Sequence, residues 1–187
     1  MEMRVRVGEP RFRVGDAWVI SIRDDYSGNV IKRVSNKVVN IENGFVYIEN
    51  DFGQEIRTLD GGVVKTNVTD NKFSYDPPRI DMPGDELIVG KKWSIAYSQT
   101  DSAGRGTLRQ DAKIVALEKV TTPAGTFLAY KIEVDGYIGM ARTKQIYWCE
   151  PDWGERIKWI RTVFRPRGTL RETYELESRV RGSGGKG

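Results

Sequence analysis

The 187-residue chain contains no histidine and a single cysteine, Cys149. Without histidine there is no Ser-His-Asp or Cys-His machinery, no histidine metal ligand and no imidazole general base. One thiol closes no internal disulfide and builds no cysteine-based zinc site. Long apolar runs are missing as well. Charged residues make up 30% of the chain, and nothing approaches the roughly 20 apolar residues that a membrane-crossing helix needs. The opening MEMRVRVGEP has no apolar stretch of the signal-peptide kind. Helical patterning is equally scarce: no capped stripe of 3.6-residue period stands out. These absences exclude the commonest hydrolase mechanisms, a zinc motif, a disulfide framework and a helical membrane anchor within the sequence as written.

What the chain does contain is alternation. In AWVISIR, Trp18, Ile20 and Ile22 share one face; in KWSIAYS, Trp93, Ile95 and Tyr97 do the same. The dipeptide Asn43-Gly44 in KVVNIENGFVYIE is the favoured centre of a two-residue type I′ hairpin. That hairpin pairs Ile41 with Val46 and Val39 with Ile48. Further strands are expected near 56–58, 63–66, 113–118, 126–134, 144–148, 156–163 and 170–177, separated by turns such as LDGG, TTPAG and RPRG. Five Trp, eight Tyr and six Phe supply core material.

VGDAWVI at 14–20 returns as VGKKWSI at 89–95, and VVNIE at 38–42 then lies over IVALE at 114–118. An internal duplication or two chained meanders explains the phase match. The expectation is one all-β domain over 1–181, an antiparallel curved sheet forming a barrel or half-barrel. Its repeat-like halves are 10–70 and 87–178. Pro77-Pro78 and Pro83-Gly84 argue for a crossover at 71–86, and GSGGKG at 182–187 for a flexible tail. Gly15 and Gly90, each just before a strand, point to a bend or a positive φ.

The order LIVGKKWSIAYS, VTTPAGTFLAYKIEVDG, QIYWCEPDWGERIKW and TYELES resembles a family of bacterial exported proteins and lipoproteins built on a domain of unknown function. The matching positions are Val89, Gly90 and Trp93; Pro123 to Phe127 with Ala129, Lys131 and Ile132; Tyr147, Trp148, Pro151 and Gly154; and Glu175, Leu176 and Ser178. The resemblance spans about residues 87–178 and, more faintly, 10–50. It implies an antiparallel barrel or half-barrel of the cell envelope, distantly similar to the lipoprotein-carrier type, in the periplasm or on the outer membrane. It carries over no catalytic residues. The family's usual signal peptide or lipid-bearing amino-terminal Cys has no counterpart here.

Candidate chemistry is thin. Asp24-Asp25 and Asp85-Glu86 are adjacent acids in turn-rich segments and read as solvated. Cys149, beside Trp148 in an alternating strand, reads as a buried inert thiol. RGSGGKG lacks the Gly-Lys-Ser/Thr ending of a phosphate loop. RDDYSGN and NVTDNKFSYD match no calcium loop. No catalytic residue, metal site or cofactor is expected. Tyr147, Trp148, Trp153 and Trp159 lie among Arg156, Lys158, Arg161, Arg165 and Arg167, a mixture that can stack nucleic acid or sugars, or form one barrel wall; alternation favours the wall.

Basic residues are in excess at both ends (Arg4, Arg6, Arg11 and Arg13 at the start), and the middle is mildly acidic. The leading expectation is a non-enzymatic envelope domain that holds an apolar or amphipathic ligand, a lipid for instance, or an envelope protein partner in the hollow of the sheet. Trp18, Trp93, Tyr130, Trp148 and Trp159 are the lining candidates. The alternatives are an assembly subunit that works through exposed strand edges and basic termini, and a nucleic-acid-binding barrel.

Overall fold

The computed structural model describes residues 11–69, 71–82, 87–151, 153 and 155–183. In chain order the strands are β1 (Ala17–Asp24), β2 (Val30–Glu42), β3 (Phe45–Asn50), β4 (Gly53–Thr58), β5 (Val63–Val68), β6 (Asn71–Arg79), β7 (Lys92–Asp101), β8 (Gly104–Thr122), β9 (Gly125–Ile138), β10 (Ala141–Cys149), β11 (Arg156–Arg165) and β12 (Gly168–Val180). Each pairs antiparallel with its sequence neighbours, and β1 pairs with β12 to close a barrel. The expected all-β antiparallel barrel is the fold observed. Closure also removes the exposed strand edges on which the assembly reading relied, since every strand has two neighbours.

The Asn43-Gly44 hairpin forms with both residues at positive φ and with Ile41 opposite Val46. Its second pair differs from the expectation: Val38, not Val39, stands opposite Ile48, because a bulge leaves Val39 unpaired. The cause is tertiary. Val38 donates its N–H to Asp16 O at 2.8 Å and accepts from Gly15 N at 2.9 Å, which fixes Val38 inward and pushes the extra residue to position 39. Gly15 and Gly90 both adopt positive φ.

The expected crossover at 71–86 is corrected at its start: residues 71–79 form β6. Pro77 and Pro78 are tolerated because β6 leaves its ladder there. Pairing with β7 stops at Asp76, and pairing with β5 skips from Ser74 to Arg79. Pro83, Gly84, Asp85 and Glu86 lie outside the described residues, as do Arg4, Arg6 and Gly154. Gly182, the first residue of the expected tail, is held by the fold. Gly182 donates its N–H to the buried carboxylate of Asp16 at 2.7 Å, and a Cβ there would sit 2.3 Å from Val14 O. Asp16 accepts from Arg13 N as well, so one carboxylate ties the entrance of β1 to the exit of β12.

Two apolar clusters fill the protein. The first gathers Tyr75, Ile95, Tyr97, Leu108, Ile114, Ile132 and Tyr147 from one face of β6–β10. The second joins Trp18, Ile20, Val38, Val46 and Ile48 to Val120, Ala129, Trp148, Ile157 and Leu176. The far end of the β8–β9 hairpin reaches β12, where Ala124 donates its N–H to Leu176 O at 3.1 Å. The bulge between Ile114 and Ala116 shifts the phase of β8, so Val120 faces the second cluster and Ile114 the first.

Candidate functional site

Cross-strand rows on the β7–β12 wall define a broad concavity. One row reads Ser94, Asp111, Asp135, Lys144, Thr162 and Arg171; another, two residues along each strand, reads Lys92, Lys113, Glu133, Ile146 and Ile160. Because side chains alternate between faces along a strand, both rows point to the same side. The intervening row, Trp93, Ala112, Val134 and Gln145, points to the other, where Trp93, Ala112 and Val134 pack in the first cluster. The cleft over these rows has a volume of about 1040 Å³. Tyr26, Phe164 and Thr169 complete one end of it.

Its floor is apolar and its walls are charged. Ile146 and Ile160 line the cleft and pack against the second cluster from outside. Asp111 accepts from Ser94 Oγ at 2.8 Å, Asp135 pairs with Arg142 at 2.9 Å and Lys144 at 3.8 Å, and Arg171 pairs with Asp25 at 2.9 Å. Hydrogen bonding to Arg142 holds the Asp135 carboxyl below its ordinary pKa. Lys92 and Lys113 stand directly opposite each other, and among the described residues neither makes an ion pair. Lys113 has Glu133 on its other side in the same row, so the row carries two ammonium groups against one carboxylate, an excess that favours an anion beside Lys92.

The five lining candidates do not converge on this cleft. Only Trp93 borders it, and its side chain packs on the opposite face, in the first cluster. Trp18 is buried edge-on against Trp153 with ring centroids 6.3 Å apart, and also borders a shallower depression of about 520 Å³ beside Asn36 and Arg179. Tyr130 lies in the first cluster and Trp148 in the second, where its indole N–H donates to Glu118 Oε1 at 2.8 Å. Trp159 stacks on Tyr174 at 4.3 Å and touches both clusters. These aromatics pack in the two apolar clusters, and Trp159 joins one cluster to the other. The residues that sequence reasoning missed are Lys92, Lys113, Ile146 and Ile160. Each reads as one member of an ordinary alternating strand, and only the register brings them side by side.

The mixed basic and aromatic segment also resolves into wall. Lys158 pairs with Glu175 at 2.7 Å. Arg156 turns toward the rings instead of the solvent, 5.1 Å from the Tyr147 centroid and 4.6 Å from that of Trp159. It joins a buried ionic network: Arg156 and Arg79 each lie 3.3 Å from Asp81 Oδ2, and Arg57 bridges Glu55 and Glu155, the latter at 2.6 Å. Burial raises the pKa of Glu155 and the neighbouring arginines, Arg57 foremost, lower it by more, leaving the carboxyl below its ordinary value. Burial pushes the Cys149 thiol up to about 12. Asp24 is held by Ser27 Oγ and the Tyr26 N–H, which lower its pKa, and serves its own turn. Among the described residues no group of three or more Cys, Asp or Glu is placed to hold a metal ion.

This barrel is comparable in shape with three solved structures. One is an exported protein, provisionally assigned, of Bacteroides fragilis NCTC 9343, with a YmcC-like fold: TM-score 0.56, 12% identity, 91% of this chain and 97% of that one. The chain has the YmcC-like fold. The hypothetical lipoprotein YmcC of Escherichia coli K12 superposes with TM-score 0.53 at 11% identity, over 88% of this chain and 84% of that one. A provisionally assigned lipoprotein of Parabacteroides distasonis ATCC 8503 does so with TM-score 0.51 at 15% identity, over 91% and 98%. No family model matches the sequence, and no curated protein does. At these identities the shared property is the YmcC-like fold alone.

Proposed function

We propose that this YmcC-like barrel is a non-catalytic protein of the bacterial envelope whose β7–β12 cleft holds an anionic amphipathic ligand. The observation that carries the reading is the cleft itself, about 1040 Å³ with Ile146 and Ile160 at its base and Lys92 and Lys113 on its wall. An acyl or other apolar body would cover the two isoleucines, and an acidic head would satisfy the two lysines. The envelope part of the reading is supported by the likeness to exported and lipoprotein barrels. This reading sets the binding element on the outer wall of the barrel, where the expectation had set it in the hollow.

The test is uptake of a fluorescent fatty-acid probe by protein purified without detergent, with native mass spectrometry for a retained amphiphile. Ile160→Arg and the Lys92→Glu/Lys113→Glu pair should each abolish uptake while the circular dichroism spectrum stays that of the parent. A parent protein that takes up no probe and carries no amphiphile sinks the proposal.

A further inference from the structure

In an up-and-down barrel the turns that join odd to even strands all lie at one end. At this end the turns expose large apolar side chains that the fold does not require there. Met140, in the β9–β10 turn, is fully exposed; Tyr26, in the β1–β2 turn, is 67% exposed and Tyr137 54%. Phe164, beside the β11–β12 turn, is exposed as well. Around them are arginines. The register sets Arg109 against Tyr137, Tyr137 against Arg142 and Arg142 against Phe164, an alternating row of guanidinium and ring across β8–β11.

Four acids of this end already have partners. Asp24 and Asp101 accept hydrogen bonds from their own turns, Asp25 holds Arg171, and Asp135 holds Arg142. Arg109, Arg165 and Arg167 make no ion pair among the described residues. The rim therefore presents three arginines without ion pairs beside protruding apolar tips.

We infer that this end of the barrel docks on an anionic lipid bilayer, with Met140, Tyr26, Tyr137 and Phe164 entering the interface and Arg109, Arg165 and Arg167 meeting phosphate headgroups. Apolar groups on separate turn tips suit insertion at the headgroup level, where aromatic rings and basic side chains are jointly favoured. A folded protein partner would call instead for one contiguous apolar patch. Tyr26 and Phe164 also close one end of the cleft, so the docked rim would set the cleft's mouth at the membrane. The inference stands on the rim and not on the cleft being occupied.

Vesicle co-sedimentation tests it, using phosphatidylcholine alone and phosphatidylcholine mixed with phosphatidylglycerol. Binding should require phosphatidylglycerol and weaken with salt. Each arginine removed should cost about fivefold in affinity, so Arg165→Gln/Arg167→Gln should cost on the order of 30-fold. Met140→Asp should also weaken binding, with no change in melting temperature because the side chain is fully exposed. Lys119→Gln, exposed near the opposite end, should bind as the parent does. No binding to either vesicle, equal binding to both, or binding untouched by the rim variants overturns the inference. Probe uptake by the cleft is read separately on the same variants, so failure of one proposal is distinguishable from failure of the other.

Discussion

Val38 and Ile114, the first residues of VVNIE and IVALE, make the same pair of backbone hydrogen bonds in the two halves of the barrel. Val38 accepts from Gly15 N at 2.9 Å and donates to Asp16 O at 2.8 Å; Ile114 accepts from Gly90 N at 2.8 Å and donates to Lys91 O at 3.0 Å. Both are fully buried, and each is followed by a bulge residue, Val39 or Val115. The repeated Val-Gly-x-x-Trp thus has a mechanical role. A glycine at positive φ turns the chain so that its N–H meets the inward residue of a strand about two dozen positions on.

That role predicts a cost for filling either glycine. At Gly90 a Cβ would meet nothing within 4 Å, so Gly90→Ala isolates the price of a positive φ of 98°. The expected loss is about 1–2 kcal/mol in a urea titration, with Gly90→Asn losing less because Asn tolerates the left-handed region. An alanine variant as stable as the parent would remove the conformational argument.

Gly136 answers to space and not to φ. It lies between Gln110 and Thr143 in the register, and Gln110 Nε2 reaches across it to donate to Thr143 Oγ1 at 2.9 Å, both side chains buried. A Cβ there would sit 2.3 Å from Arg109 O and 2.9 Å from Gln110 Cγ. Gly136→Ala should therefore both overpack the strand and break the bridge, costing roughly 3 kcal/mol or more. Thr143→Val, which leaves the Gln110 amide unpaired without new crowding, should cost about 1–3 kcal/mol.

These positions show how far the sequence could be read. Alternation and Asn43-Gly44 disclosed the strands, the antiparallel order and the first hairpin, because those features are local. The slip from Val39 to Val38 was not legible, since the bonds from Gly15 and Asp16 that impose it come from more than twenty residues away. Pro77-Pro78 misled for a related reason: prolines exclude a regular ladder, but not a strand that bulges from one neighbour and parts from the other. The cleft was the least legible feature. Ile146 and Ile160 look like any wall residues until pairing sets them side by side, whereas the conspicuous tryptophans marked the core.

Cys149 should be inert. Its thiol is 1% exposed and its pKa is pushed up to about 12 by burial, so almost no thiolate is present near neutrality. A thiol-disulfide reagent should label the native protein negligibly at pH 8 and stoichiometrically in guanidinium. Rapid labelling of native protein would contradict the closed packing around β10.

The buried ionic network makes a prediction about acid. Glu155 and Asp81 are held below their ordinary values of 4.5 and 3.8; burial opposes this, and the arginines, Arg57 and Arg156 for Glu155 and Arg79 and Arg156 for Asp81, outweigh it. A carboxyl whose folded pKa is depressed binds protons more readily in the unfolded chain. Its stabilisation is therefore present above the ordinary value and drains away as the pH falls toward the folded one. Stability should hold from neutrality to about pH 5 and drop below about pH 4. Glu155→Gln leaves the Arg57 guanidinium, whose side chain is only 11% exposed, with Glu55 as its one carboxylate partner, at an expected cost of roughly 1–3 kcal/mol at pH 7. The same variant should show a shallower decline between pH 5 and pH 3, because one of the titrating groups is gone. If the parent and Glu155→Gln lose stability in parallel across that range, the carboxylate is not ionised in the fold, and the pairing with Arg57 is not what holds this end of the barrel closed.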